Sequence, residues 1–308
     1  MQKPIIVSIE GNIGAGKTTI LKNLEILLYT DPSIVFLREP VDIWQSIKDK
    51  QNNNILAKFY DDPKKYAFSF QVMAFVTRLT LLRQTIEENP NCKVIICERS
   101  LEADKHIFAK MLYDDDMIDD INYQVYMRFY EEYRNLYKLD GIVYIEAAAD
   151  ICHQRISKRG RAGEELVSLE YLKNCEKYHE EWLGKCKNNP PVLKINTEEE
   201  VTYYSEEMGL VKDNAGFTWL EHIKDFVCDL RLDEIASTPV STFNYMSASS
   251  SSSSEKDIDK SDDKSDDKSD EKSDDSMFDN IWYLNLFHWT ASRVDSYFGF
   301  RQGEQIVI

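Results

Sequence analysis

The feature that most narrows what this chain can fold into is an eight-residue run, Gly11-Asn12-Ile13-Gly14-Ala15-Gly16-Lys17-Thr18. Its spacing, G-x-x-x-x-G-K-[ST], carries meaning only if a buried strand enters it and a helix leaves it. Both are legible, in Ile5–Ile9 before it and in the helical pattern Thr18–Leu28 after it. Glycines let the backbone curl so that successive amides point inward at an anion. The helix that follows adds its positive N-terminus to the same point. Lys17 then reaches the outer phosphates, and the Thr18 hydroxyl becomes a ligand for Mg²⁺. Residues Gly11 to Thr19 are therefore expected to hold ATP or a similar nucleotide, with Gly11, Asn12, Ile13, Gly14, Ala15, Gly16, Lys17, Thr18 and Thr19 as its binding set.

The rest of the chain to about residue 230 supports one large α/β unit. Nearly unbroken apolar runs at Ile5–Ile9, Ile34–Leu37, Val94–Cys97, Gly141–Ile145 and Val192–Ile195 read as strands. Helical patterns at Thr18–Leu28, Tyr66–Glu88, Asn122–Tyr137, Asp150–Ser157, Leu169–Trp182 and Phe217–Leu230 separate or follow them. Strands without polar alternation, joined through helices, imply a parallel sheet covered on both faces.

After residue 232 the composition changes. Ser249–Ser254 is a serine run, and residues 255–276 hold 11 acids and 5 lysines with almost no apolar side chain. Such a segment cannot bury enough surface to offset its ordering entropy, so 233–276 is expected to be a disordered linker. Residues 277–308 turn aromatic and apolar again, through Phe278, Trp282, Phe287 and Trp289, in a segment of unassigned role.

The net charge of −17 argues against a nucleic-acid partner, which would want a basic stripe. Six cysteines without a CxxC pair read as reduced thiols in a cytoplasmic protein. The N-terminus reads as a strand rather than a signal peptide, and no apolar run is long enough to span a bilayer.

The strand ends say more about chemistry. An Asn-Lys-x-Asp base-reading motif of GTPases is missing, because no Asn-Lys pair occurs. The third strand ends Cys97-Glu98-Arg99-Ser100, placing a carboxylate and an arginine where ligands collect in open α/β sheets. Glu98 is a candidate for holding Mg²⁺ through water, and Arg99 for neutralising a phosphate. The second strand ends Arg38-Glu39-Pro40, and Glu39 is a candidate base for an attacking hydroxyl. The run Arg155-Ile156-Ser157-Lys158-Arg159-Gly160-Arg161 interrupts an acidic chain with four cations. With Gly160 and Gly163 as hinges it reads as a mobile lid bringing positive charge to a migrating phosphoryl group.

The set Gly11–Thr19, Glu39-Pro40-Val41 with Trp44, Phe59-Tyr60-Asp61-Asp62-Pro63, Phe70-Gln71, Glu98-Arg99-Ser100, the arginine lid and Leu169-Glu170-Tyr171-Leu172 resembles the deoxynucleoside kinases. This family includes the deoxycytidine, deoxyguanosine and mitochondrial thymidine kinases. The likeness runs in order from about residue 4 to 196 and fades after 200. It implies a P-loop kinase fold, with a central five-stranded parallel sheet flanked by helices and a mobile arginine-rich lid, over residues 1–232. By the same resemblance, Glu39 takes the proton of a nucleoside 5′-hydroxyl and Arg99 orients that oxygen. Lys17, Arg155, Arg159 and Arg161 attend the phosphates. Tyr60 with Glu164 (or Glu165, should the lid carry a gap) holds the 3′-hydroxyl. Gln71 reads the base edge, while Trp44, Phe70 and Phe108 wall the base. Ala74, Arg78 and Asp104 fall where the family tunes base choice, and an Arg with an Asp favours deoxycytidine, deoxyadenosine or deoxyguanosine over thymidine. The resemblance also implies ATP and Mg²⁺ and a homodimer. A thymidylate-type monophosphate kinase is the nearest rival, and a nucleotide-binding regulator without chemistry is the other.

Overall fold

The computed structural model describes residues 3–161, 164–185, 190–205, 209–210 and 214–237. Five strands, β1 (Ile5–Gly11), β2 (Ile34–Leu37), β3 (Val94–Glu98), β4 (Gly141–Glu146) and β5 (Val192–Asn196), form one sheet in the order β2-β3-β1-β4-β5. Every pairing in it is parallel. The strands expected from the apolar runs are all present, each within two residues of the expected ends.

Two cores sandwich this sheet, which is why its central strands are buried and apolar along most of their length. Ile5, Val7 and Ile9 of β1 face one way, onto Ile20, Leu21 and Leu24 of α1 (Lys17–Leu27) and Leu220, Ile223 and Val227 of α10 (Ala215–Ser237). Ile6 faces the other way with Ile95 and Ile142, onto Leu82 of α4 (Pro63–Glu88) and Cys175 and Trp182 of α9 (Leu169–Lys185). Burying a side chain of this size stabilises by roughly 1.5–3 kcal/mol, so such sets fix strand register securely.

Further helices build the walls of a cleft over the carboxyl ends of the strands. They are α2 (Val41–Ser46), α3 (Ile55–Asp61) and α8 (Ala149–Arg159), while α5 (Leu101–Ala103), α6 (Lys110–Asp114) and α7 (Asp120–Tyr133) pack outside the cleft lining. A π-helical turn, Asp104–Ala109, joins α5 to α6. Sequence periodicity revealed neither α2 and α3 nor the α5–α6 stretch, and it carried α7 four residues too far, to Tyr137. The small hairpin of β6 (Tyr204–Ser205) and β7 (Gly209–Leu210) was also unexpected. Helix α10 runs to Ser237, past the expected boundary at 232. The remainder of the expected linker and the aromatic segment 277–308 lie outside the described residues, as does Gly163. No helix among the described residues is long and apolar enough to cross a membrane. Cys92, Cys97, Cys152 and Cys175 are buried free thiols and Cys228 an exposed one.

Candidate active site

The connection after β1 leaves to one side of the sheet, and that after β3 to the other, so the carboxyl ends of these neighbours form a topological switch point. A cavity of about 650 Å³ opens there. Gly14 and Gly16 hold positive φ values of 84° and 101°, which lets the segment after β1 wrap around the N-terminus of α1. A Cβ on Gly14 would stand 2.5 Å from the Cys152 carbonyl oxygen, so α8 packs directly against the loop.

Residues Ile13 to Thr19 line the cavity. Gly11 and Asn12 do not, and serve the loop from beneath. The Asn12 side chain donates to the Leu172 carbonyl at 2.8 Å and accepts from the Ile13 amide at 2.9 Å. Lys17 Nζ donates to the carbonyls of Gly11 and Asn12 at 3.1 and 2.7 Å. Burial, reinforced by Arg99, lowers its pKa to about 8 against the pull of Glu98 and Glu39. The Thr18 hydroxyl donates to Glu98 Oε1 at 2.6 Å. That pairing brings a hydroxyl and a carboxylate, both hard oxygen donors, to the mouth of the loop, a donor set that fits Mg²⁺.

Glu39, at the end of β2, meets two arginines. Its Oε1 lies 3.3 Å from Arg78 Nη2 and 3.2 Å from Arg99 Nε. Burial raises its pKa, but Arg99, Arg78 and Lys17 together outweigh burial and hold the carboxyl below its ordinary range. Arg99 adopts φ 64°, an uncommon conformation for a residue with a side chain, and its guanidinium lies 4.7 Å above the Phe108 ring. Its Nη1 is buried without a partner among the described residues. Arg78 also grips Asp104 in a bidentate pair, at 2.9 and 3.1 Å, and donates to the Glu98 carbonyl at 3.3 Å. Burial opposes the charge on Arg78, yet Asp104 and Glu39 keep it firmly protonated.

One face of α4 supplies Phe70, Gln71, Ala74 and Arg78, spaced so that all four turn toward the cavity. Pro63 opens that helix and the Asp62 carboxylate caps it. Trp44 of α2 packs edge-on against Phe70, with centroids 5.5 Å apart, and its indole N–H donates to Thr77 at 3.0 Å. Phe59 of α3 stacks on Phe70 at 4.7 Å. The π-helical turn brings in Asp104 and Phe108. Gln71 Oε1 is buried and has no partner among the described residues, an acceptor facing a cavity that it alone does not fill. Tyr60 lines the same end, and burial pushes its phenol far above the ordinary range, leaving it a neutral donor.

The far side carries the cations. Arg155 of α8 donates to the Thr197 carbonyl at 2.6 Å, and Thr197 Oγ1 in turn donates to the Ala15 carbonyl at 3.1 Å. Glu164 is buried in a 3-10 turn, Glu164–Leu166, and accepts from Arg159 and, at 3.0 Å, from Arg161. Glu165 beside it is exposed. Apart from Gly11, Asn12 and the alternative Glu165, every residue expected at the site lines the cavity. Sequence reasoning missed several that line it too, among them Tyr171, Val201, Tyr203 and Trp219. Tyr203 and Trp219 follow residue 200, where no motif survives; α10 carries Trp219, and Tyr203 packs beside it with ring centroids 6.4 Å apart.

A phosphate-loop cavity that also holds a carboxylate between two arginines suits phosphoryl transfer to a hydroxyl, and comparison with known proteins agrees. The family model described as deoxynucleoside kinase matches residues 7–215. A probable deoxycytidine kinase of Fowlpox virus (strain NVSL) is 34% identical over 230 residues, which cover 73% of this chain and 88% of that protein. The mitochondrial deoxyguanosine kinase of Xenopus laevis is 32% identical over 220 residues, covering 63% and 82%. Human deoxycytidine kinase is 33% identical over 196 residues, covering 58% and 74%. The chain is therefore a kinase, and it belongs to the deoxynucleoside kinase family.

Proposed function

We propose that this kinase transfers the γ-phosphoryl group of ATP to the 5′-hydroxyl of a deoxynucleoside, favouring deoxycytidine, deoxyadenosine or deoxyguanosine over thymidine. The observation that carries this reading is Glu39, held at 3.2–3.3 Å between Arg99 and Arg78 in the cavity that the phosphate loop enters. Its lowered pKa keeps it ionised and ready to accept a proton at neutral pH. Arg99 orients the attacking oxygen. Thr18 and Glu98 would hold Mg²⁺, which neutralises charge on the transferring phosphoryl group. Lys17 leaves the two loop carbonyls for the outer phosphates. Arg155, Arg159 and Arg161 surround the migrating group as a mobile lid.

Base preference rests on Gln71, Arg78 and Asp104. The unpartnered Gln71 oxygen calls for an N–H donor on the base edge. The buried Arg78–Asp104 pair supplies a charged donor and acceptor there, which suits an amino-substituted base better than the methyl of thymine. Tyr60 and Glu164 hold the 3′-hydroxyl as donor and acceptor. A homodimer is part of the same reading. Ile121, Val125 and Phe129 form an exposed apolar stripe along α7, with Val76 exposed on the neighbouring α4.

Purified protein with Mg·ATP is offered each of four deoxynucleosides, their ribonucleosides and their monophosphates, and ADP release is followed. Turnover is expected with deoxynucleosides bearing an amino group. Turnover with monophosphates alone would overturn the reading in favour of a monophosphate kinase. Tight ATP binding without any turnover would favour a regulator. Glu39→Gln should lower kcat by about 10²–10⁴-fold, the usual cost of removing a general base.

A further inference from the structure

The site leaves one buried carboxylate without a role. Glu10 is the residue before the phosphate loop and is fully buried. By strand alternation it lies on the sheet face opposite Ile9, and it does not line the cavity that Lys17 and Thr18 line. A carboxylate there is costly unless something uses its lone pairs, and an apolar side chain of the same size would serve packing better.

Its hydrogen bond with Ser100 leads straight to the site. Ser100 Oγ donates to Glu10 Oε1 at 2.6 Å and accepts from the Ala103 amide at 3.1 Å, capping α5. Because Ile9 of β1 stands in register with Glu98 of β3, Glu10 lies alongside the Arg99-Ser100 turn. Arg99 is thus gripped from β1 on both sides. Its own amide donates to the Ile9 carbonyl at 3.0 Å, and the next residue's hydroxyl is bound by Glu10. This grip coincides with the left-handed φ of 64° at Arg99, a conformation that persists in such a residue only when its surroundings over-determine it. A relaxed turn would carry the guanidinium away from Phe108 and from Glu39.

We propose that Glu10 is a positioning residue: through Ser100 it holds Arg99 in the left-handed turn that keeps its guanidinium on Glu39. This rests on the role given to Arg99 above. Burial raises the Glu10 pKa against the opposing pull of Ser100 and Arg99, consistent with a group retained despite its cost.

The test is a double-mutant cycle with Glu10→Leu, which keeps volume and removes the acceptor, and Arg99→Ala, each read by kcat, acceptor KM and Tm. The expected result is a Glu10→Leu enzyme whose Tm is unchanged or raised while kcat falls about tenfold or more, since small misplacements are costly in catalysis. Glu10→Gln, which keeps an acceptor for Ser100, should restore most of that loss. On the Arg99→Ala background Glu10→Leu should cost nothing further. Wild-type kcat in Glu10→Leu, or losses that multiply with Arg99→Ala, would overturn the inference. If Arg99→Ala alone keeps wild-type kcat, it is the role of Arg99 that fails. Should Glu10→Leu not fold, Ser100→Ala takes its place in the cycle, with Ser100→Thr as its rescue and the same outcomes deciding.

Discussion

At the scale of single residues the site is a problem of buried charge. Lys17, Arg78, Arg99, Glu39, Glu98 and Asp104 crowd one cavity; Arg78, Arg99, Glu39 and Asp104 are paired with one another, while Lys17 bonds loop carbonyls and Glu98 accepts from Thr18. Lys17 shows the balance most plainly, because its pKa of about 8 lies close to working conditions. Its charge is present below that pH and is lost as pH rises through it. The charged form is the one that attracts phosphate, so kcat/KM for the donor, which reports the free enzyme, should fall as pH rises above about 8. Lys17→Arg removes that titration without removing the charge, so the alkaline limb should vanish whatever activity remains. A donor kcat/KM profile that stays flat to pH 10 in the wild type would contradict this account.

At the scale of elements, the loop and α8 must be considered together. Gly14 and Gly16 both carry positive φ, but their surroundings differ. A Cβ on Gly16 meets nothing within 4 Å, whereas one on Gly14 would collide with the Cys152 carbonyl at 2.5 Å and crowd Ile156 at 3.0 Å. Gly16→Ala therefore meets only backbone strain, on the order of 1–2 kcal/mol. Gly14→Ala must also push α8 away, and with it Arg155 and Arg159. Thermal unfolding should show Gly14→Ala as clearly the less stable of the two, and equal Tm values would refute the packing argument. The spacing motif fixes Gly16 and leaves position 14 open, so the tighter constraint at Gly14 comes from the packing of α8.

At the scale of the whole molecule, the exposed stripe on α7 is the main surface feature among the described residues that a monomer does not explain. Ile121 is 74% exposed, and Val125 and Phe129 follow it at helical spacing on the same face. Phe129→Glu places a charge on that stripe and touches no residue of the cavity. Sedimentation velocity should show the wild type as a dimer and this variant shifted toward monomer, with Tm lowered by loss of the partner. A wild type that sediments as a monomer would remove the stripe from the account of assembly.

The phosphate loop with its flanking strand and helix, the five parallel strands and the carboxylates at their ends could be read from the sequence, because each is a local pattern. Apolar runs dictate buried strands, glycine spacing dictates the loop, and a strand's end sets the edge at which Glu39 and Glu98-Arg99 emerge. The cavity's walls were less accessible to such reading. Helices α2 and α3 are too short to display a period, and the π-helical turn that presents Asp104 and Phe108 has no sequence signature of its own. The bidentate grip of Arg78 on Asp104 spans 26 residues and the Ser100–Glu10 bond 90, and Trp219 reaches the cavity from α10, which packs on the sheet. The sequence by itself determined the phosphate-loop motif with its flanking strand and helix, and that Glu39 and Glu98-Arg99 emerge at the same edge of the sheet. The tertiary structure decided which charges face one another there, since pairing across long chain separations is set by packing and leaves no local trace.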